Sequence, residues 1–193
     1  MITENSYSYD TNVVSQVAFN EHLKLYKAYI GKINEIDNLI KLDPQLDTAN
    51  STYSHYRGLK KSETFVIDAI ILHEAYFENM GQTKKSPTPN TEKILTNQFG
   101  NYQNWHDEFV ACATSARGWC VLTYEQRTNT FRNILLDAHD FGDICVGFPI
   151  LVLDVYEHAY FKDYGTDKAT YINKFMDAID WDVVGRRVSI LEP

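Results

Sequence analysis

The spacing of apolar residues changes once along this chain, near Gly81, and that change limits what the chain can fold into. Before it, Phe19, Leu23, Tyr26, Ile30, Ile33 and Leu39 recur near helical intervals, and Leu59, Phe65, Ile67, Ile70, Ile71 and Tyr76 form a second series. They predict two long helices, over about residues 15–42 and 56–80, with Asn12 or Ser15 capping the first. Between them, Pro44, Asp47, Asn50 and Ser51 mark a loop, so the pair reads as a helical hairpin. Gly81, Lys84-Lys85, Pro87 and Pro89 mark a linker, which divides the chain into domains at residues 1–83 and 90–193.

Beyond the linker the pattern shortens. Thr91-Glu92-Lys93 opens a helix expected to continue through Gly100, Trp105 and Phe109 toward Ser115. Three β-rich runs follow, at residues 119–124, 131–136 and 144–153, with residues 126–130 closing a hairpin between the first two. Helices resume from about Tyr156. The predicted class is α+β: an N-terminal long helical hairpin, then an α/β domain with a three-stranded antiparallel sheet.

Charge and cysteine usage narrow the function. A net charge of −8 argues against nucleic acid as a partner, because phosphate binding needs a positive surface. No apolar stretch approaches the roughly 20 residues that span a bilayer, so no membrane association is expected. Met1-Ile2-Thr3-Glu4-Asn5-Ser6 has neither the basic start nor the apolar core of a secretory signal, which makes the cytoplasm the expected compartment. Cys112, Cys120 and Cys145 are odd in number and lack a C-x-x-C spacing; they read as small buried apolar residues rather than a disulfide framework or zinc cage.

The chemistry concentrates near the C-terminus. Asp154 and His158 stand four residues apart, between an apolar strand-like run and an aromatic-rich helical one. A carboxylate oxygen and an imidazole nitrogen at that spacing suit Fe or Mn, although an acidic first turn of a helix gives the same letters. His73, in Ile70-Ile71-Leu72-His73-Glu74-Ala75-Tyr76-Phe77, sits in a run too apolar for a surface histidine and must be buried or bound.

The segment from Pro149 through Asp154-Val155-Tyr156-Glu157-His158-Ala159-Tyr160, with Asp163-Tyr164, Tyr171-Ile172, Phe175 and the ending Asp180-Trp181 to Arg187, resembles the C-terminal domain of the iron/manganese superoxide dismutases. That family carries D-x-[WF]-E-H, an aromatic helix and N-W-x-x-V-x-x-R. The likeness extends from about Val14 to Arg187. It implies the two-part fold described above, one Fe or Mn per chain, and conversion of superoxide to oxygen and hydrogen peroxide. The His73 segment is similar to the family's N-H-x-x-[FY]-[WF] helix, which implies His73 as a ligand beside Asp154 and His158.

The first helix departs from the pattern. In the family a ligand His precedes an active-site Tyr by eight residues; here Glu21 is eight before Tyr29 and His22 is seven. Either Glu21 replaces the His or one residue has been lost. At about 100° per residue, seven residues return to nearly the same face, whereas eight overshoot by roughly 80° unless a π-bulge absorbs one. Geometry therefore favours His22, completing the set His22, His73, Asp154 and His158.

The resemblance further implies Tyr29 as the gateway tyrosine and His139 at the position of a Gln that orients the solvent on the ion. An imidazole there is expected to titrate near neutrality and impose a pH dependence. Trp119 matches a wall of the pocket, with Val121 in place of a second Trp. Glu157 in the family bonds the ligand His of another subunit, so a homodimer through Glu157 and His158 is implied. Leu25 or Tyr26 and Phe161 replace two further polar partners across that interface. Lys168 matches a basic residue at the channel mouth, a local guide for an anion approaching an acidic protein. These departures keep a second reading open, a weak or inactive metal-binding scaffold that retains the fold.

Overall fold

The computed structural model describes residues 1–82, 85–145 and 147–191. The first half is two long antiparallel helices, α1 (Gln16–Leu42) and α2 (His55–Asn79), joined through a single 3-10 turn at Leu46–Thr48. Ser15 caps α1, its hydroxyl accepting from the Ala18 amide at 3.2 Å, and Ser54 caps α2 through the Arg57 amide at 3.1 Å. Helix α1 is α-helical throughout, with no π-bulge, and buries Phe19, His22, Tyr26, Ile30, Ile33 and Ile36 on one stripe.

The helix expected to run unbroken to Ser115 is two helices, α3 (Pro89–Phe99) and α4 (Tyr102–Ser115). Gly100 at φ 89° takes a conformation that a side chain resists, and Asn101 restarts the helix by accepting the Asn104 amide at 2.8 Å. Thr88 caps α3 three residues earlier than Thr91 suggested, so the linker is shorter than its composition implied. The boundary expected at residue 83, Lys84 of the linker and Val146 of the third β-rich run lie outside the described residues.

Strands β1 (Trp119–Glu125), β2 (Thr130–Leu136) and β3 (Gly147–Asp154) form an antiparallel sheet in the order β2-β1-β3. The expected hairpin joins β1 and β2, with Asn129 at φ 53° in its turn. β3 starts three residues later than its apolar run, because Ile144 O accepts the Gly147 amide at 2.7 Å in a turn. Pro149 lies on this edge strand where the register shifts opposite Leu122 and Thr123, a place that tolerates a missing N–H. Central β1 is covered on both faces, which is why its residues 119–122 are continuously apolar. Helices α5 (Glu157–Tyr164), α6 (Lys168–Asp177) and α7 (Trp181–Ser189) complete the fold.

One core runs through both halves. It is tied by polar bonds as well: the Asn79 amide nitrogen on α2 donates to Val152 O at 2.7 Å, and the Asp180 amide donates to Asn79 O at 2.7 Å. Arg187 on α7 reaches Asn79 Oδ1 at 2.6 Å, Ile150 O at 2.9 Å, Ala75 O at 3.3 Å and Glu78 Oε2 at 2.6 Å. Helix α2 is thereby fixed against β3, and with it His73 against Asp154.

Candidate metal centre

Four elements each supply one side chain to a single point. His22 comes from α1, His73 from α2, Asp154 from the end of β3 and His158 from the first turn of α5. One ligand atom from each lies within 4.8 Å of all the others. Asp154 Oδ2 is 3.1 Å from His22 Nε2, 3.2 Å from His158 Nε2 and 3.9 Å from His73 Nε2. Bonds of about 2.1 Å to a shared ion place neighbouring ligand atoms roughly 3 to 4 Å apart, so the spacing is that of a coordination shell.

Two of these nitrogens show that the cluster is not complete as a hydrogen-bond network. Nε2 of His22 and Nε2 of His73 are buried and have no hydrogen-bond partner, a costly arrangement unless a cation takes their lone pairs. The tautomer of His73 is fixed: its Nδ1 lies 2.6 Å from Ala69 O, a carbonyl that can only accept, so Nδ1 carries the hydrogen and Nε2 presents the lone pair. Asp154 Oδ1 accepts the Tyr156 amide at 2.9 Å, which starts α5 and leaves Oδ2 for the cluster.

Electrostatics prepare the same state. Burial holds the imidazole of His22 below its usual pKa, and burial with the nearby His22 pushes that of His73 down to about 3. Burial opposes ionisation of Asp154, but His158 and His22 outweigh it and hold the carboxyl well below the carboxylate range. Burial lowers His158 while Asp154 raises it, and the carboxylate prevails. Neutral imidazoles at His22 and His73 beside an ionised carboxylate are the donors that a divalent or trivalent ion requires.

Glu21 is exposed and pairs with Lys24 at 2.8 Å, away from the cluster. His22 takes the inward position, as the straight seven-residue spacing requires. Tyr26, on the same stripe, turns its hydroxyl to Glu74 at 2.6 Å and accepts the Asn5 amide at 2.9 Å, so it anchors the N-terminal segment instead.

A second chain of bonds lies beside the cluster. Trp119 Nε1–H donates to His139 Nδ1 at 2.9 Å, so the hydrogen of His139 is on Nε2, which faces Tyr29 Oη at 3.0 Å. Tyr29 therefore accepts from His139 and keeps its own O–H to give. Both nitrogens of His139 are occupied, Nδ1 by Trp119 and Nε2 by Tyr29. The expected titration near neutrality is corrected: burial pushes the imidazole down to about 4. It is neutral above that value, and protonation would set a second N–H against the Trp119 indole. His139→Gln is expected to change the rate but leave the shape of the pH–activity profile between about pH 5 and 8 as in wild type. A transition near neutrality in wild type that vanishes in the variant would refute this.

Several supports were not visible in the sequence. Tyr171 Oη donates to Asp154 O at 2.7 Å, so in its bond with Tyr76 Oη at 2.9 Å the donor is Tyr76. Phe65 packs its ring 4.6 Å from that of His139, and Tyr156 stacks 5.3 Å from His158. Lys168 is committed elsewhere, donating to Ala116 O at 2.6 Å and Thr114 O at 3.3 Å at the end of α4. The cysteines differ from one another: Cys120 is buried, Cys112 half-buried and Cys145 exposed, so the buried reading holds only for Cys120.

Residues 87–187 match the family described as iron/manganese superoxide dismutases, C-terminal domain. Superoxide dismutase [Mn] 1 of Halobacterium salinarum is 31% identical over 180 residues, covering 91% of this chain and 88% of that protein. The chain belongs to the iron/manganese superoxide dismutases. Superoxide dismutase [Fe] of Aquifex aeolicus is 35% identical over 165 residues, 84% of this chain and 78% of its own. A third relative, superoxide dismutase [Fe] of Cupriavidus metallidurans, is 29% identical over 180 residues, 92% of this chain and 89% of its own. Within an iron/manganese superoxide dismutase the His/Asp cluster is a site for Fe or Mn, and the names of the relatives divide between the two metals. No helix among the described residues is long and apolar enough to cross a membrane.

Proposed function

We propose that this protein converts superoxide to oxygen and hydrogen peroxide at one Fe or Mn ion per chain, held by His22, His73, Asp154 and His158. The observation that carries the reading is the pair of buried, unpartnered Nε2 atoms of His22 and His73 beside Asp154 Oδ2. A bound Fe or Mn would supply the one-electron redox chemistry that the two half-reactions of superoxide require.

The chain's own residues do the rest. Phe77 and Trp119 pack on His22 and His73 and exclude water there, which keeps those two imidazoles neutral, and Tyr156 stacks on His158. Forming hydrogen peroxide requires protons, and Tyr29 is the donor. Burial and the Asp154 charge raise its pKa, so its hydroxyl stays protonated, while His139 fixes the oxygen and leaves the O–H to point at substrate. Trp119 sets the tautomer of His139 and so the direction of that bond. The reading includes a homodimer: Glu157 is exposed beside His158 and the exposed Phe161 on α5, where a second copy can meet the ligand histidine.

Metal analysis with dismutation assays of wild type, His22→Ala and Glu21→Ala tests the proposal. About one Fe or Mn per chain is expected in wild type and Glu21→Ala, with rates within about twofold of each other, and loss of both in His22→Ala. A folded wild-type protein that holds no redox metal, or that holds it without activity, would favour the scaffold reading. Light scattering on the same samples tests the dimer, and a monomer mass would remove it.

A further inference from the structure

Residues 2–12 form no helix or strand, yet they lie across both long helices and are tied to them by side chains. Ile2 exchanges two bonds with Asn34 on α1, its amide donating to Oδ1 at 2.8 Å and its carbonyl accepting from Nδ2 at 2.9 Å. The Asn5 amide donates to Tyr26 Oη at 2.9 Å, and that hydroxyl donates to Glu74 on α2 at 2.6 Å. At the other end the Thr11 hydroxyl and the Asn12 amide both donate to Gly81 O, at 3.1 Å and 3.4 Å. A segment held by so few bonds, several of them exposed, opens with little free energy, while the buried Val13 and the Ser15 cap hold its root. Between the ties, Tyr7 sets its ring 5.3 Å from that of Phe77 and 5.9 Å from that of Tyr26. Phe77 in turn packs 5.1 Å from His22, whose buried Nε2 has no hydrogen-bond partner.

We propose that residues 2–12 are a strap that gates metal exchange at His22, with Tyr7 as the latch that holds Phe77 against the imidazole. A cavity of about 380 Å³ lies beneath the strap, and Tyr7, Asp10, Phe19, Phe77, Lys85 and Asp180 are among its lining. Lys85 is paired with Asp182 at 3.0 Å, so the carboxylates of Asp10 and Asp180 leave this space favourable to a cation. Phe77 therefore touches a ligand histidine and also borders open space. With Tyr7 seated, the ring stays on His22; with Tyr7 lifted, it has room to turn into the cavity and uncover the imidazole. His158, the most exposed of the four ligands, is on the face proposed above for a second copy, so a dimer leaves the strap side for exchange. The gate rests on the ligand set proposed above and not on dismutation.

The test loads the full chain with Mn(II) and follows its release to excess EDTA well below the melting temperature, a readout that needs no dismutation. Tyr7→Ala is expected to release manganese about 10-fold faster than wild type, the scale on which partners that hold a metal ligand act, with dismutation per bound ion within about twofold. Tyr7→Phe, which keeps the ring, should release at the wild-type rate. Leu95→Ala, which opens the core on α3, should melt lower than Tyr7→Ala and still release at the wild-type rate. Release at the wild-type rate from Tyr7→Ala would overturn the gate. So would equally fast release from Tyr7→Phe or from Leu95→Ala. If Tyr7→Ala holds no metal, Asn34→Ala decides, because it frees only Ile2: release about threefold faster than wild type supports the gate, and the wild-type rate removes it. A wild-type chain that binds no manganese would remove the ligand set and the gate together.

Discussion

Replacing Asp154 by alanine is expected to strip the protein of Fe or Mn and to lower dismutation by more than about 100-fold. The magnitude has a floor, because even partners that only orient a metal ligand cost about 10- to 100-fold when removed, and Asp154 is the sole carboxylate of the cluster. Its Oδ2 lies within reach of all three imidazoles. Without it, three neutral nitrogens would face an ion with no anionic ligand to offset its charge.

Asp154→Asn separates the charge from the shape. The amide oxygen can still accept the Tyr156 amide that starts α5, so the backbone is expected to stay in place while metal is lost. In metal-free protein at neutral pH the Asn variant should melt lower than wild type, because the fold holds the Asp154 carboxyl below its ordinary pKa and so favours the charged form. The native carboxylate is fully buried, and its ionised form is favoured there by His158 first and then by His22, an interaction that a neutral amide does not reproduce. Metal analysis, single-turnover dismutation and thermal melting of the metal-free forms would check this. Stoichiometric Fe or Mn in Asp154→Ala would remove Asp154 from the ligand set.

Arg187→Ala is expected to produce the largest loss of stability, about 3 kcal/mol, without touching the metal cluster. The guanidinium is only 13% exposed and serves acceptors on α2 and β3 at once. Truncation leaves Ile150 O and Asn79 Oδ1 without this donor, at about 1–3 kcal/mol for each buried group stranded. The bond to Glu78 adds less, because that carboxylate is 45% exposed and partly screened. For a chain of this size the expected fall in melting temperature is about 6–12 °C. Arg187→Lys should recover only part of it, since one ammonium cannot match a planar fork bonded to four acceptors. Denaturant unfolding of wild type and both variants at equal metal loading is the measurement. A loss below about 1 kcal/mol would show that the junction does not depend on Arg187.

Local features of the chain explain which elements were readable. The two long helices have caps within a residue or two of the expected ends, because Ser15 and Ser54 sit directly before an apolar period. The sheet was readable from three short runs, and its central strand from the continuous apolar letters of residues 119–122. The break at Gly100 was missed because one glycine inside a helical period is commonly tolerated, and only its positive φ with the Asn101 cap ends the helix. The start of β3 was missed because an apolar letter does not distinguish a strand from a buried turn.

Residue type and order made the fold class readable, because capping and periodicity act within a few residues of chain, and the resemblance to the iron/manganese superoxide dismutases, with the seven-residue interval from His22 to Tyr29, supplied the ligand candidates. The tertiary structure alone decided how those groups are used. It turned Glu21 out to Lys24, occupied both nitrogens of His139 with Trp119 and Tyr29, and committed Lys168 to the end of α4. The physical reason is that protonation and tautomer depend on burial and on the nearest polar atom, and those neighbours come from elements distant in sequence.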